Sequence, residues 1–108
     1  MALQHAVSGE RISLSRGDDD IANFTSIALV KTEHMELIRL LLPKGKSMPE
    51  HSVEGEMTLL CLSGEIAFDA HGRTTLLHPT EMIYLAGGEP HAIRAQEDSV
   101  ALLTILLK

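Results

Sequence analysis

Apolar residues along this chain come in short runs, about five to nine residues each, closed off by Gly, Pro, Asn, Asp or Ser, and that rhythm predicts strands rather than helices. Strands are expected over 25–31, 34–42, 57–62, 65–70, 73–77, 81–85, 91–95 and 99–107, with a shorter alternating one over 11–15. Arg16-Gly17-Asp18-Asp19-Asp20 reads as a solvated turn or a helix start, since aspartate caps helices well, and 21–24 is of undecided type. In Ala70-His71-Gly72-Arg73 a glycine stands where a hairpin turn needs a positive φ. Ser63-Gly64-Glu65 and Ala86-Gly87-Gly88 mark comparable corners, and Pro79 and Pro90 fall just outside strands, where a missing amide proton does no harm. The fold class is all-β.

Two of these strands are apolar almost throughout: 38–42 apart from Arg39, and 100–107 apart from Thr104. Such strands are covered on both faces. In a small barrel one face looks into the lumen, so the other needs a second layer or a second subunit. A homodimer is therefore expected.

Composition narrows the function. The 108 residues suffice for one domain, which buries ~65% of its unfolded surface. With two Phe, one Tyr and no Trp, the core must be built from Leu, Ile, Val, Ala and Met, and surfaces for stacking bases are scarce. Nine basic against fifteen acidic residues give a net charge of −6 with no local Lys/Arg cluster, which argues against nucleic acid as a partner. Cys61 is the only cysteine, so no intramolecular disulfide forms and nothing demands an oxidising compartment. The first ten residues lack a basic start and an apolar core, and no stretch approaches the ~18 apolar residues of a membrane span. A cytoplasmic protein with no membrane partner is expected.

The candidate chemistry sits on two histidines. Five residues separate Gly45 from His51, one separates His51 from Val53, three lead on to Met57 and six more to Gly64. Later, five residues separate Thr80 from Ala86, Gly88 follows after one, His91 after two more and Ala95 after three. These spacings resemble the two signature motifs of the cupin superfamily, the first running glycine, His-x-His, glutamate, glycine and the second glycine, proline, glycine, histidine, asparagine. The resemblance implies a single-domain, RmlC-like double-stranded β-helix, the jelly-roll barrel, over 1–108, with 1–24 as an N-terminal arm and 25–108 as the barrel. It also implies that both histidines stand at the barrel mouth. Val53 and Met57 occupy the places of the second histidine and the glutamate, so His51 and His91 remain of four metal ligands, and Thr80 and Ala86 replace the second motif's glycine and proline.

A transition metal wants three or more fixed N, O or S ligands. Glu54 or Glu56 could complete a His51/His91/carboxylate set for Fe, Mn, Ni or Zn. Strand alternation opposes Glu56, which points away if Met57, Leu59 and Cys61 point inward, unless a bulge shifts the register. Met57 and Cys61 would suit a soft ion, but Cys61 lies several residues further along. No cofactor is firmly predicted. The first function expected is binding of a compact, partly hydrophobic small molecule in a lumen lined by His51, Val53, Met57, Leu59 and His91. The alternatives are a metal-dependent dioxygenase, isomerase or decarboxylase, and metal-free acid–base catalysis by either histidine. Arg39 would bind a ligand carboxylate if it faces the lumen, though an internal or inter-subunit ion pair suits it better. Tyr84 could line the pocket or pack with its hydroxyl satisfied. Cys61 reads as a small buried hydrophobe, and His34, His71 and His78 as solvent-facing.

Overall fold

Alternation decides which side of each strand is buried, and the computed structural model, which describes residues 5–15 and 21–107, shows nine strands and no helix among them. In chain order they are β1 (Thr25–Lys31), β2 (Met35–Leu42), β3 (Ser47–His51), β4 (Met57–Ser63), β5 (Ile66–Ala70), β6 (Arg73–Leu77), β7 (Met82–Leu85), β8 (His91–Ala95) and β9 (Ser99–Leu106). They form a five-stranded sheet in the order β1-β2-β9-β4-β7 and a four-stranded sheet in the order β3-β8-β5-β6. All neighbouring strands are antiparallel. Neighbours distant in sequence, such as β2 with β9 and β3 with β8, close two sheets into the jelly-roll barrel.

Leu40 and Leu42 of β2, Met57, Leu59 and Cys61 of β4, and Ile66 and Phe68 of β5 interdigitate in one core cluster between the sheets. Each fully buried Leu, Ile, Phe or Met contributes about 1.5–3 kcal/mol, so this space holds the fold together. Cys61 behaves as the sequence suggests: it is enclosed, and burial first, then the nearby Glu81 charge, push its thiol above the ordinary range.

Two expectations need correction. Residues 11–15 form no strand; the Ser15 carbonyl instead accepts a hydrogen bond from Arg39 Nη1 at 2.9 Å, so this arm lies against the outer face of the five-stranded sheet. β3 was not anticipated, because Pro49 and Glu50 break its apolar pattern. It is an edge strand, bulged between Met48 and His51, and a proline is tolerated where no ladder hydrogen bond is needed. The turn or helix start expected at 16–20 lies outside the described residues. The hairpin turn at His71-Gly72 takes φ values of 53° and 72°, as expected of a two-residue turn between β5 and β6.

His34, His71 and His78 are exposed, as expected. His78 nevertheless has carboxylates at both ring nitrogens: Nε2 meets Glu65 at 2.8 Å and Nδ1 meets Glu81 at 3.1 Å. These hydrogen bonds, Glu65 first, raise the His78 pKa above 6.5, while bonds from the His78 amide and ring lower that of Glu81 below 4.5. The histidine's contribution to stability is full below its unfolded pKa and is lost as pH rises through its folded one; the glutamate's is present above its unfolded pKa and is lost as pH falls through its folded one. The clamp therefore acts most fully between the two ordinary values. His78→Ala should lower the melting temperature slightly near pH 5.5, by an amount that shrinks at pH 8.5. An equal loss at both pH values would refute the clamp.

Candidate functional site at the barrel mouth

Two five-residue loops, 52–56 and 86–90, cross from one sheet to the other at the same end of the barrel. The first joins His51 to Met57 and the second joins Leu85 to His91, so four mouth positions hang on two loops. The loops brace one another: the Gly88 amide donates to the Val53 carbonyl at 2.7 Å. Gly87 has to be glycine for the same reason, since a Cβ there would sit 2.2 Å from the Glu54 carbonyl oxygen.

His51 and His91 are cross-strand partners on β3 and β8, with ring centroids 4.4 Å apart and planes tilted by 56°. Each ring is anchored in the same way. His51 Nδ1 lies 3.1 Å from the Pro49 carbonyl, and His91 Nδ1 lies 3.1 Å from the Glu89 carbonyl. A carbonyl only accepts, so both rings carry a proton on Nδ1, and Nε2 is the nitrogen each leaves for a ligand. His91 is only 2% exposed and stacks on Phe68, 5.5 Å between centroids and within 5° of parallel. Burial pushes its pKa below the usual imidazole value, a protonated His51 alongside would push it further, and the Glu89 carbonyl opposes both. His91 is thus a neutral hydrogen-bond acceptor at pH 7.

Met57 is buried, and Val53 and Met48 are partly buried, on the same apolar cluster as Phe68. The structure places His51 against His91 and His91 on Phe68, with Met57 and Val53 in the same apolar cluster as that phenylalanine. Leu59 is fully enclosed, one inward position deeper along β4, and forms core rather than mouth. Arg39 is not in the lumen: Leu40 and Leu42 take the inward places of β2, and alternation turns Arg39 out toward Ser15. Tyr84 is 59% exposed, because Ile83 and Leu85 take the inward places on β7, and its hydroxyl donates to Glu56, which raises the phenol's pKa. Glu56 is drawn to that outer side and does not join the histidines, as alternation from Met57 requires. Among the described residues no group of three or more His, Cys, Asp or Glu is placed to hold a metal ion.

Phe68, the wall behind His91, was missed as a site residue. Its signal lay in the alternation Ile66, Phe68, Ala70 leading to the same end as His91, with Ala70 and His91 in register. Beside the mouth, Glu50, Asp69, His71, Arg73 and Glu89 line an open cleft of about 440 Å³. Its carboxylates give the rim a negative character, partly offset by Arg73, and His71 Nδ1 lies 3.5 Å from Glu89.

Residues 38–106, well over half of the chain, match the family profile described as the cupin domain. The chain is a cupin. Among solved structures this cupin is similar to a conserved protein of unknown function from Streptococcus pyogenes, with 21% identity, a TM-score of 0.83, and 100% of this chain and 98% of that one covered. A cupin superfamily protein from Desulfitobacterium hafniense gives 19% identity and a TM-score of 0.84, covering 99% of this chain and 100% of its own. KdgF from Halomonas sp. gives 15% identity and a TM-score of 0.73, covering 84% and 86%. At such identities the likeness shows the shared fold. No curated protein matches the chain in sequence. Among the described residues no helix is long and apolar enough to cross a membrane.

Proposed function

We propose that this cupin binds a small, uncharged molecule at the barrel mouth, one that is apolar over most of its surface and donates a hydrogen bond to the histidine pair. The carrying observation is the twin anchoring of His51 and His91 through Nδ1, which leaves Nε2 of each ring as the atom open to a ligand, on rings 4.4 Å apart of which His91 is backed by Phe68. Phe68, Met57 and Val53 supply the apolar wall. A hydroxyl or N–H group suits two acceptors, whereas a carboxylate would meet no donor there and would face Glu50 and Glu89 at the rim. Sensing or sequestration is the role such a site serves. The single cysteine, buried and free, suits a reducing compartment, and a cytoplasmic location belongs to the same reading.

Cupins often bind metals, but the donor set does not fit a hard or borderline divalent ion. Two imidazoles share the mouth with an apolar valine and a thioether, and among the described residues no carboxylate joins them to offset the charge.

The test is a titration of the His51 and His91 ring resonances by NMR, with phenol as a donor-bearing apolar probe and benzoate as its anionic counterpart, before and after chelation. Phenol should shift both rings to saturation regardless of chelator, and benzoate should leave them in place. His91→Phe should weaken phenol about tenfold, the worth of one hydrogen bond. Binding of benzoate alone, or binding only with added divalent metal, would sink the proposal.

A further inference from the structure

Two facing rows of side chains ring the barrel mouth, and strand register fixes both. On the four-stranded sheet the row is His51, His91, Ala70 and Arg73, on β3, β8, β5 and β6 in turn. On the five-stranded sheet it is Lys31, Glu36, Ile105, Met57 and Leu85, on β1, β2, β9, β4 and β7. Glu36 shares the inward side of β2 with Ile38, Leu40 and Leu42, which lie in the core or pack against it. Among the described residues, Lys31 and Glu36 are the only charged side chains on the inward side of this sheet.

Glu36 is an uncommon place for a carboxylate. Only 20% of its side chain is exposed, against 52% for Lys31, yet Lys31 Nζ stands 3.6 Å away, longer than a hydrogen bond. Among the described residues no donor bonds to it. An acceptor so far withdrawn from water gains from a partner that fills its lone pairs. Lys31 already balances its charge, so the partner it lacks is a neutral donor.

Residues 43–46 carry β2 directly into β3, so these strands face one another across the lumen, with Glu36 and His51 at their mouth ends. Packed sheets lie ~10 Å apart, and Glu36 stands two strands, again ~10 Å, from Met57. Glu36 joins the histidines in no metal-binding group, and the gap suits one six-membered ring with a polar group on either side. Apolar surface lies between the two anchors: Ile105 and Met57 follow Glu36 along its row, and Phe68 backs His91 opposite. Arg73 ends the row farthest from His51, beside Asp69 and Glu89 of the rim.

We infer that Glu36 is a second anchor for the molecule seated on the histidine pair, so that this molecule is an uncharged, ring-sized diol. One hydroxyl donates to the histidines and the other to Glu36. This deepens the binding role proposed for the mouth and rests on it.

NMR titrations of the native chain with phenol, resorcinol and resorcinol monomethyl ether test the second anchor, read on the His51 and His91 rings and on the carboxyl carbon of Glu36. Phenol lacks the second hydroxyl, and the ether keeps its bulk without its proton. Resorcinol should bind at least about tenfold more tightly than either, the gain of one hydrogen bond to a charged acceptor. The Glu36 carbon should move with resorcinol and stay in place with the ether, a readout that needs no substitution. Glu36→Leu, which matches its apolar neighbours Ile38 and Ile105, should bring the resorcinol-to-phenol ratio to about one. Glu33→Gln, at an exposed carboxylate of the same hairpin, should leave that ratio as it is. Equal affinity for resorcinol and its ether, a silent Glu36 carbon, a preference that survives Glu36→Leu, or one lost in Glu33→Gln would each overturn the inference, while phenol binding would keep the histidine site standing. Rings that answer to none of the three probes would overturn both.

Discussion

Substituting Val53→His and Met57→Glu together should turn the barrel mouth into a tight divalent-metal site, with at least ~1000-fold higher affinity for Zn²⁺ or Mn²⁺ than the native chain. His51 and His91 leave Nε2 open for coordination, and their Nδ1 atoms are already held by the backbone carbonyls of Pro49 and Glu89. That anchoring is what a metal-bound imidazole needs from its surroundings. Met57 faces into the barrel at 3% exposure and Val53 is fixed through its carbonyl by Gly88, so both new donors arrive on braced backbone. Without metal the variant should lose about 2–4 kcal/mol of stability, since a carboxylate replaces a buried thioether. Added metal should restore it, because an ion that binds only the folded state raises the melting point. Metal content by plasma mass spectrometry and calorimetric titration read the result. A folded variant that holds no more metal than the native chain would show that the histidine pair is misplaced for coordination.

Gly64→Ala should cost about 3–5 kcal/mol in urea unfolding, a large loss for one added methyl group. Gly64 sits at φ 86°, where an L side chain is strained. A Cβ there would also lie 2.2 Å from Ser99 Oγ and 2.3 Å from the Asp98 carbonyl oxygen. Ser99 cannot simply withdraw. It is fully buried, its hydroxyl accepts from the Glu65 amide at 3.1 Å, and it stands within hydrogen-bond reach of the Glu97 carbonyl at 2.7 Å. Pushing it aside strands polar groups in the interior. A measured loss under ~1 kcal/mol would mean that the 63–65 and 97–99 corners move apart freely.

The motif positions explain why this fold was readable despite its departures. Gly45, Gly64, Thr80 and Gly88, the places where the resemblance asks for glycine, all have φ between 74° and 87°. At Thr80 the glycine is gone but the backbone demand remains, and the Thr80 amide still bonds to the Cys61 carbonyl at 2.9 Å. Spacing records such backbone geometry, so it survives loss of the metal ligands. The inward alternation of Met57, Leu59 and Cys61 was legible for a related reason: a strand has only two faces, and one polar break fixes which is which.

Arg39 and Tyr84 were harder to place. Each sits in a strand whose neighbours are apolar on both faces, so period-two patterning carries no sign. Arg39 is turned out to meet Ser15, a residue 24 positions away, and Glu56 is bonded by Tyr84, 28 positions away. Phe68 became part of the site through stacking on His91 across a strand pair, a contact that neither local sequence announces.

The sequence by itself determined the all-β class, the cupin motifs, eight of the nine strands to within two residues at either end, and the pairing of one histidine with each motif. These follow from local physics: apolar periodicity, turn chemistry and backbone φ act over a few residues. Only the tertiary structure decided that His51 and His91 face one another with both Nδ1 atoms tied down, that Phe68 desolvates His91, and that Glu56 leaves the histidines for Tyr84. It alone also showed that Arg39 turns out of the barrel to meet Ser15. Those outcomes depend on register between strands far apart in the chain, where a shift of one residue would turn every side chain to the opposite face.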